Sequence, residues 1–161
     1  GKTLLARGFQ SILPPLSLGE SIEITKIYSL AGKLKPEDPL IRQPPFRAVH
    51  HTASSISLVG GGSIPRPGEI SLAHRGVLFL DELLEFPRAS LDSLRQPMEE
   101  GFVNVTRVAG SVMFPAEFIL LGATNPCVCG FAGDPVHSCK CTPSQLAQYQ
   151  KKTFRSAHGP H

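Results

Sequence analysis

Residues 76–82 read Gly-Val-Leu-Phe-Leu-Asp-Glu, an unbroken run of large apolar residues stopped by two adjacent carboxylates. A strand with one wet face would alternate polar and apolar residues. A continuous apolar run fits a strand buried on both faces, as in a parallel sheet covered by helices. Open α/β sheets bind ligands beyond the carboxyl ends of their strands, and Asp81 and Glu82 would fall at that edge. Two acids there can divide the work. Asp81 can hold Mg²⁺ through its water shell, and Glu82 can polarise an attacking water. A core strand ending in a solvated turn is the competing reading of the same stretch.

Gly1-Lys2-Thr3 opens the chain and leads into Leu4, Leu5, Ala6 and Phe9, the pattern of an amphipathic helix. Gly-Lys-Thr is the closing part of the phosphate-binding loop Gly-x-x-x-x-Gly-Lys-[Ser/Thr]. In that loop the helix N-terminus cradles phosphate, the Lys reaches the outer phosphates and the hydroxyl ligates Mg²⁺. The tripeptide is weak evidence by itself. Paired with Asp81 and Glu82 behind a buried strand, it supplies the second half of a P-loop NTPase site. Residues 118–125, Phe-Ile-Leu-Leu-Gly-Ala-Thr-Asn, read as another buried strand ending at the same edge. The Asn125 amide could there hydrogen-bond a γ-phosphate and a water. A turn residue before Pro126 is the plain alternative.

The four cysteines all fall between Cys127 and Cys141, as Cys127-Val-Cys129 and Cys139-Lys-Cys141 around a loop with Gly130, Gly133, Asp134 and Pro135. Such clustering suits metal better than a secreted disulfide framework. Two such pairs can close tetrahedrally on Zn²⁺, with His137 as a spare ligand. The Cys-x-Cys spacing is tighter than the usual Cys-x₂-Cys, and four reduced thiols or two disulfides are the alternatives. His50-His51 could also ligate metal. Such a pair more commonly lies in a loop and bonds to backbone, and that is the reading taken here.

The remaining elements follow from punctuation. Ser17 to Glu20 forms a capping box, so residues 17–31 read as a helix ending near Gly32. Four prolines in residues 33–47 predict an extended loop. Gly60-Gly61-Gly62 reads as a flexible or close-approach turn, and residues 67–74 as a short helix. A helix is expected from Ala89 to Gln96, broken or restarted by Pro97. Residues 102–108 and 111–114 alternate as a β-hairpin; Arg107 near its tip could touch phosphate, and a plain solvated hairpin is an equally good reading. Thr142-Pro143 should start a helix running to about Lys152, and residues 153–161 carry no usable pattern.

The 161 residues, 41% hydrophobic and 18% charged, suffice for one globular domain. Pro and Gly, 15 each, predict irregular insertions. A net charge of +3 permits a polyanion partner without arguing for one. No apolar run approaches the ~18 residues that cross a bilayer, and no signal peptide opens the sequence. A cytoplasmic protein with no membrane partner is therefore expected.

Several stretches together resemble one family. They are Gly1-Lys2-Thr3, Phe-Arg-Ala-Val-His-His-Thr-Ala from Phe46, Leu-Val-Gly-Gly-Gly-Ser from Leu58, the run from Arg66 to Glu82, Leu-Arg-Gln-Pro from Leu94, and Asn-Pro-Cys-Val-Cys-Gly from Asn125. They look like the magnesium-chelatase-like AAA+ proteins of the ComM/YifB type, over about residues 1–152. The resemblance implies an α/β fold: a three-layer P-loop NTPase with a parallel sheet, a helix-2 insertion within residues 17–75 and a pre-sensor-1 hairpin at 102–114. It implies that Gly1, Lys2 and Thr3 end the Walker A loop, that Asp81 and Glu82 are the Walker B pair, and that Asn125 is sensor 1. It further implies ATP and Mg²⁺ as cofactors, a homo-hexamer with sites between subunits, and DNA as partner of a helicase that drives branch migration. The strand and glycines that the family carries before Gly1, its trans-acting Arg, its helical lid and its Lon-like domain are not recognisable here. A fragment truncated at both ends, with weak ATP binding and negligible turnover, is the resulting expectation. Two rival readings are a metal-insertion motor acting on protoporphyrin and a zinc-bearing, non-catalytic binding module.

Overall fold

The computed structural model describes residues 1–37, 39–107 and 110–158, without the side chains of residue 107 and residues 153–158. A three-stranded parallel sheet organises it, in the order β1 (Phe46–Val49), β4 (Val77–Leu80), β7 (Ile119–Gly122). β4 is the central strand and is buried at every position, as its unbroken apolar run requires. Val77 pairs with Phe46 on one side and Ile119 on the other, and Leu80 with Val49 and Gly122. All three strands therefore end at one edge.

Successive residues of β4 point to opposite faces, and each face has its own cover. Leu78 and Leu80 join Val49, Leu58, Ile70, Leu94, Val105 and Phe114 in the main core. On the other face Phe79 stacks with Phe46, ring centroids 6.0 Å apart, and Arg7 of α1 (Lys2–Ser11) lies over the Phe46 ring at 5.0 Å. Ala6 is the buried residue of α1. Helix, sheet and a second layer of helices plus hairpin make the three layers of a P-loop NTPase.

Helix α2 (Leu18–Leu30) starts where its capping box predicts. Ser17 Oγ accepts from Glu20 N and the Glu20 carboxylate accepts from Ser17 N. Beyond α3 (Ser55–Val59), Gly60-Gly61 (β2) and Arg66-Pro67 (β3) pair as a two-stranded ribbon. The glycines serve close approach. A Cβ on Gly60, whose φ is +112°, would sit 2.3 Å from the Arg66 carbonyl oxygen, and one on Gly68 would sit 2.5 Å from Gly60 N. α4 (Glu69–Leu72) follows, tied to β1 by a bidentate Arg47–Glu69 pair at 2.6 and 2.9 Å.

Three expectations shift. The extended loop over residues 33–47 gives way to strand β1 at Phe46. The single helix over 89–96 is two, α5 (Arg88–Asp92) and α6 (Arg95–Glu100), and the break precedes Pro97. Pro97 sits in the first turn of α6, where a missing N–H costs nothing. α7 (Pro143–His158) runs past Lys152. The hairpin forms as expected, β5 (Phe102–Arg107) against β6 (Gly110–Pro115). Val108, Ala109 and the Arg107 side chain, for which a phosphate contact and a solvated tip are both open readings, lie outside the described residues. Among the described residues no helix is long and apolar enough to cross a membrane.

Candidate functional site

The carboxyl edge of the sheet gathers chain segments far apart in sequence. Asp81 and Glu82 follow β4, Thr124 and Asn125 follow β7, and His50 and His51 follow β1. Asp81 N donates to the Val49 carbonyl at 3.3 Å and Leu83 N to the Ala123 carbonyl at 2.9 Å, which stitches the three strand ends together. Lys2 reaches the same edge from α1. Its Nζ donates to the Thr124 carbonyl at 2.6 Å and to Asn125 Oδ1 at 2.5 Å.

The start of α1 is open to an anion. Gly1 occupies the N-cap without a side-chain cap, and no acidic residue stands in the first turn. The Lys2 and Thr3 amides are among the first-turn N–H groups that have no partner within a helix. Their positive end favours phosphate. Gly1, Lys2 and Thr3 are exposed.

Glu82 has left-handed backbone angles, φ 54° and ψ 49°. The Asp81 carboxylate accepts from Glu82 N at 3.0 Å and so braces that turn. The Glu82 carboxylate lies against both histidines, Oε2 being 2.9 Å from His51 Nδ1 and 3.7 Å from His50 Nε2. The sequence predicts a loop pair bonded to backbone. His50 does accept a long contact from Thr52 N, at 3.4 Å. Both rings nevertheless face the carboxylate, which the sequence reading missed. The signal was register: Val49 beside Leu80 places the next residues of the two strands opposite one another.

Past Asn125 and Pro126 the chain enters the cysteine loop. All four thiols are free. Their sulfurs converge: Cys127 to Cys129 at 3.4 Å, Cys127 to Cys139 at 3.7 Å and Cys129 to Cys139 at 3.5 Å. Four thiolates around Zn²⁺ at ~2.3 Å would sit ~3.8 Å apart, so the spacing suits an ion at the centre. Backbone N–H groups point at the sulfurs, Ala132 N at Cys127 and Cys129 N at Cys141. The environment separates the thiols. Backbone donors at Phe131 and Lys140 draw Cys129 down to about 6. Cys139 is pushed up to about 12: the Cys141 backbone resists the rise, and the neighbouring Cys129 sulfur and burial outweigh it. His137 pairs with Asp134 at 3.4 Å instead of joining the sulfurs.

The chain matches the family described as magnesium chelatase, subunit ChlI, over residues 1–157. It is 47% identical to the uncharacterized protein YifB of Escherichia coli over 150 residues, covering 92% of this chain and 29% of that protein. It is 46% identical to the competence protein ComM of Haemophilus influenzae over 151 residues, again 92% of this chain and 29% of the relative. Among solved structures it superposes with a TM-score of 0.48 on the complex between subunits BchI and BchD of magnesium chelatase, at 21% identity over 75% of this chain and 43% of the other. The chain thus spans under a third of the curated relatives' length.

Proposed function

The chain belongs to the magnesium chelatase ChlI family, and from that membership we propose that residues 1–152 are the nucleotide-handling core of an AAA+ motor. The reading is supported above all by Lys2, which is bonded to Thr124 and Asn125 at the strand edge that also carries Asp81 and Glu82. Lys2 would contact the outer phosphates of ATP, with the Gly1 and Lys2 backbone at the helix start. Thr3 and Asp81 would hold Mg²⁺. Glu82 would orient the attacking water, and Asn125 would hydrogen-bond the γ-phosphate. Such catalysis is positioning plus electrostatics, because the transferred phosphoryl group needs charge stabilisation more than covalent help.

The Cys127, Cys129, Cys139 and Cys141 set is proposed to hold a structural Zn²⁺, closing the loop behind Asn125. The whole protein is proposed to be a homo-oligomer, a hexamer by family resemblance, that remodels DNA as a helicase driving branch migration. The net charge of +3 is compatible with that partner.

Glu82→Gln in the full-length protein tests the motor reading. Turnover should fall at least ~100-fold while ATP binding persists. Unchanged hydrolysis in the variant would remove Glu82 from the chemistry. A full-length protein that neither binds nor hydrolyses ATP would favour the non-catalytic binding module.

A further inference from the structure

We propose that His50, His51 and Glu82 form a second metal site, for a borderline divalent cation of the zinc, nickel or cobalt class. β1 and β4 end in register, so the residues after them emerge side by side. The ligating atoms of the three residues lie within 4.8 Å of one another. Two ligands bound at ~2.1 Å to one tetrahedral ion sit ~3.4 Å apart. The separations of 2.9 Å for His51 and 3.7 Å for His50 from Glu82 Oε2 bracket that value.

The short contact is not an ordinary hydrogen bond. His51 Nδ1 is buried and makes no aligned hydrogen bond, close as it is to the carboxylate oxygen. A ring nitrogen so placed can present its lone pair to an ion shared with that oxygen. His50 has outer support. Its Nδ1 lies 3.0 Å from Thr52 Oγ1, and with Nδ1–H donating there the Nε2 lone pair faces Glu82. Metal-bound histidines are commonly oriented in this way. The weaker Thr52 N–H contact at 3.4 Å favours the opposite tautomer, so an ion would select between the two. The two rings lie 4.1 Å apart. Two imidazolium charges would resist that spacing, and neutral imidazoles on one cation would not.

Two imidazoles and a carboxylate suit zinc-class ions, whereas Mg²⁺ prefers an all-oxygen shell. Three protein ligands leave a fourth position open. Side-chain exposures of 58% for His50, 29% for His51 and 41% for Glu82 leave the site reachable from solvent. The consequence rests on the role proposed for Glu82. A carboxylate committed to the cation is withdrawn from water, so zinc would slow hydrolysis and added Mg²⁺ would not relieve it.

The chain should be stripped with chelator under reducing conditions, dialysed against zinc and assayed for metal. Two zinc ions per chain are expected in the parent protein and one in His50→Gln/His51→Gln. Cys139→Ser/Cys141→Ser should retain one histidine-dependent ion. In that cysteine variant, substoichiometric cobalt should broaden the His50 and His51 ring resonances, a readout that needs no histidine substitution. A histidine variant that takes up as much zinc as the parent chain, a cysteine variant that takes up none, or unbroadened rings would each overturn the site. In the full-length protein, zinc inhibition should disappear with the histidine pair. Absence of any ATP hydrolysis would instead sink the motor reading, and the metal stoichiometry would decide the site by itself.

Discussion

Lys2 Nζ donates to the Asn125 side-chain oxygen across 123 positions of sequence. The first helix and the last strand of the sheet are thereby joined at the edge where β4 delivers its two acids. The bond also occupies the Lys that is proposed to contact phosphate. Nucleotide entry would exchange an amide and a carbonyl for phosphate oxygens.

Lys2→Ala should therefore weaken ATP binding in the full-length protein by ~10–100-fold, the worth of one charge-assisted hydrogen bond. Calorimetry with a non-hydrolysable analogue would measure it.

Removing a side chain from the centre of the sheet should cost more than any surface change. Leu78 is fully buried in the main core. Leu78→Ala should destabilise by about 2–5 kcal/mol, through lost burial plus the cavity left behind. Urea unfolding would show a lower midpoint at unchanged slope.

Gly60→Ala should be unusually costly for an added methyl. The residue combines a φ of +112° with a Cβ position 2.3 Å from a backbone oxygen. A loss above ~1 kcal/mol is expected from the strained conformation alone, and more from the collision. Gly133→Ala, which also has positive φ but meets nothing nearby, is the control for the steric part.

Acid should weaken the fold through His74. The side chain is 1% exposed, accepts from Glu117 N at 3.0 Å and lies 3.1 Å from Glu23 Oε1. Burial holds its pKa below the ordinary value, and the pull of Glu23 in the opposite direction does not overcome this. Above pH ~6.5 the imidazole is neutral folded or unfolded, so the fold loses nothing. Below it the unfolded chain takes up a proton that the folded one refuses, and stability falls until the folded value is passed. His74→Gln should flatten the stability–pH curve over that window, read from denaturant midpoints at a series of pH values.

Zinc removal should loosen the chain around residues 127–141 first. Chelation under reducing conditions should raise amide exchange there and in α7, where the Tyr149 ring is buried and takes a contact from the Asn125 backbone. Protection of β4 should be unaffected. Exchange that is the same with and without chelator would argue against a structural ion.

Much of the fold could be read from sequence because the decisive signals were local. The apolar run of β4, the Ser17–Glu20 box and the alternation of the hairpin each carry their cause within a few residues. β1 did not, because four residues behind Pro44-Pro45 are too short to show a period. Its identity comes from pairing with β4, which a linear reading does not see. The same gap hid the histidine pair, whose meaning depends on the Val49–Leu80 register. Pro97 was ambiguous in a different way, since a break and a restart were both open. It marks a helix boundary, and the spacing alone did not say that it lay just inside a new helix, not at the end of an old one. At the candidate site, motif residues could be named from sequence, but the Lys2–Asn125 bond and the braced turn at Glu82 needed three dimensions.

The left-handed backbone at Glu82 sets the chain's folding preferences against the role proposed for that carboxylate. An L-residue with a side chain gives up roughly 1–2 kcal/mol to stand there, and glycine would not. A population selected only for thermal endurance should drift to glycine at this position, gaining sturdiness and giving up the carboxylate proposed to orient water.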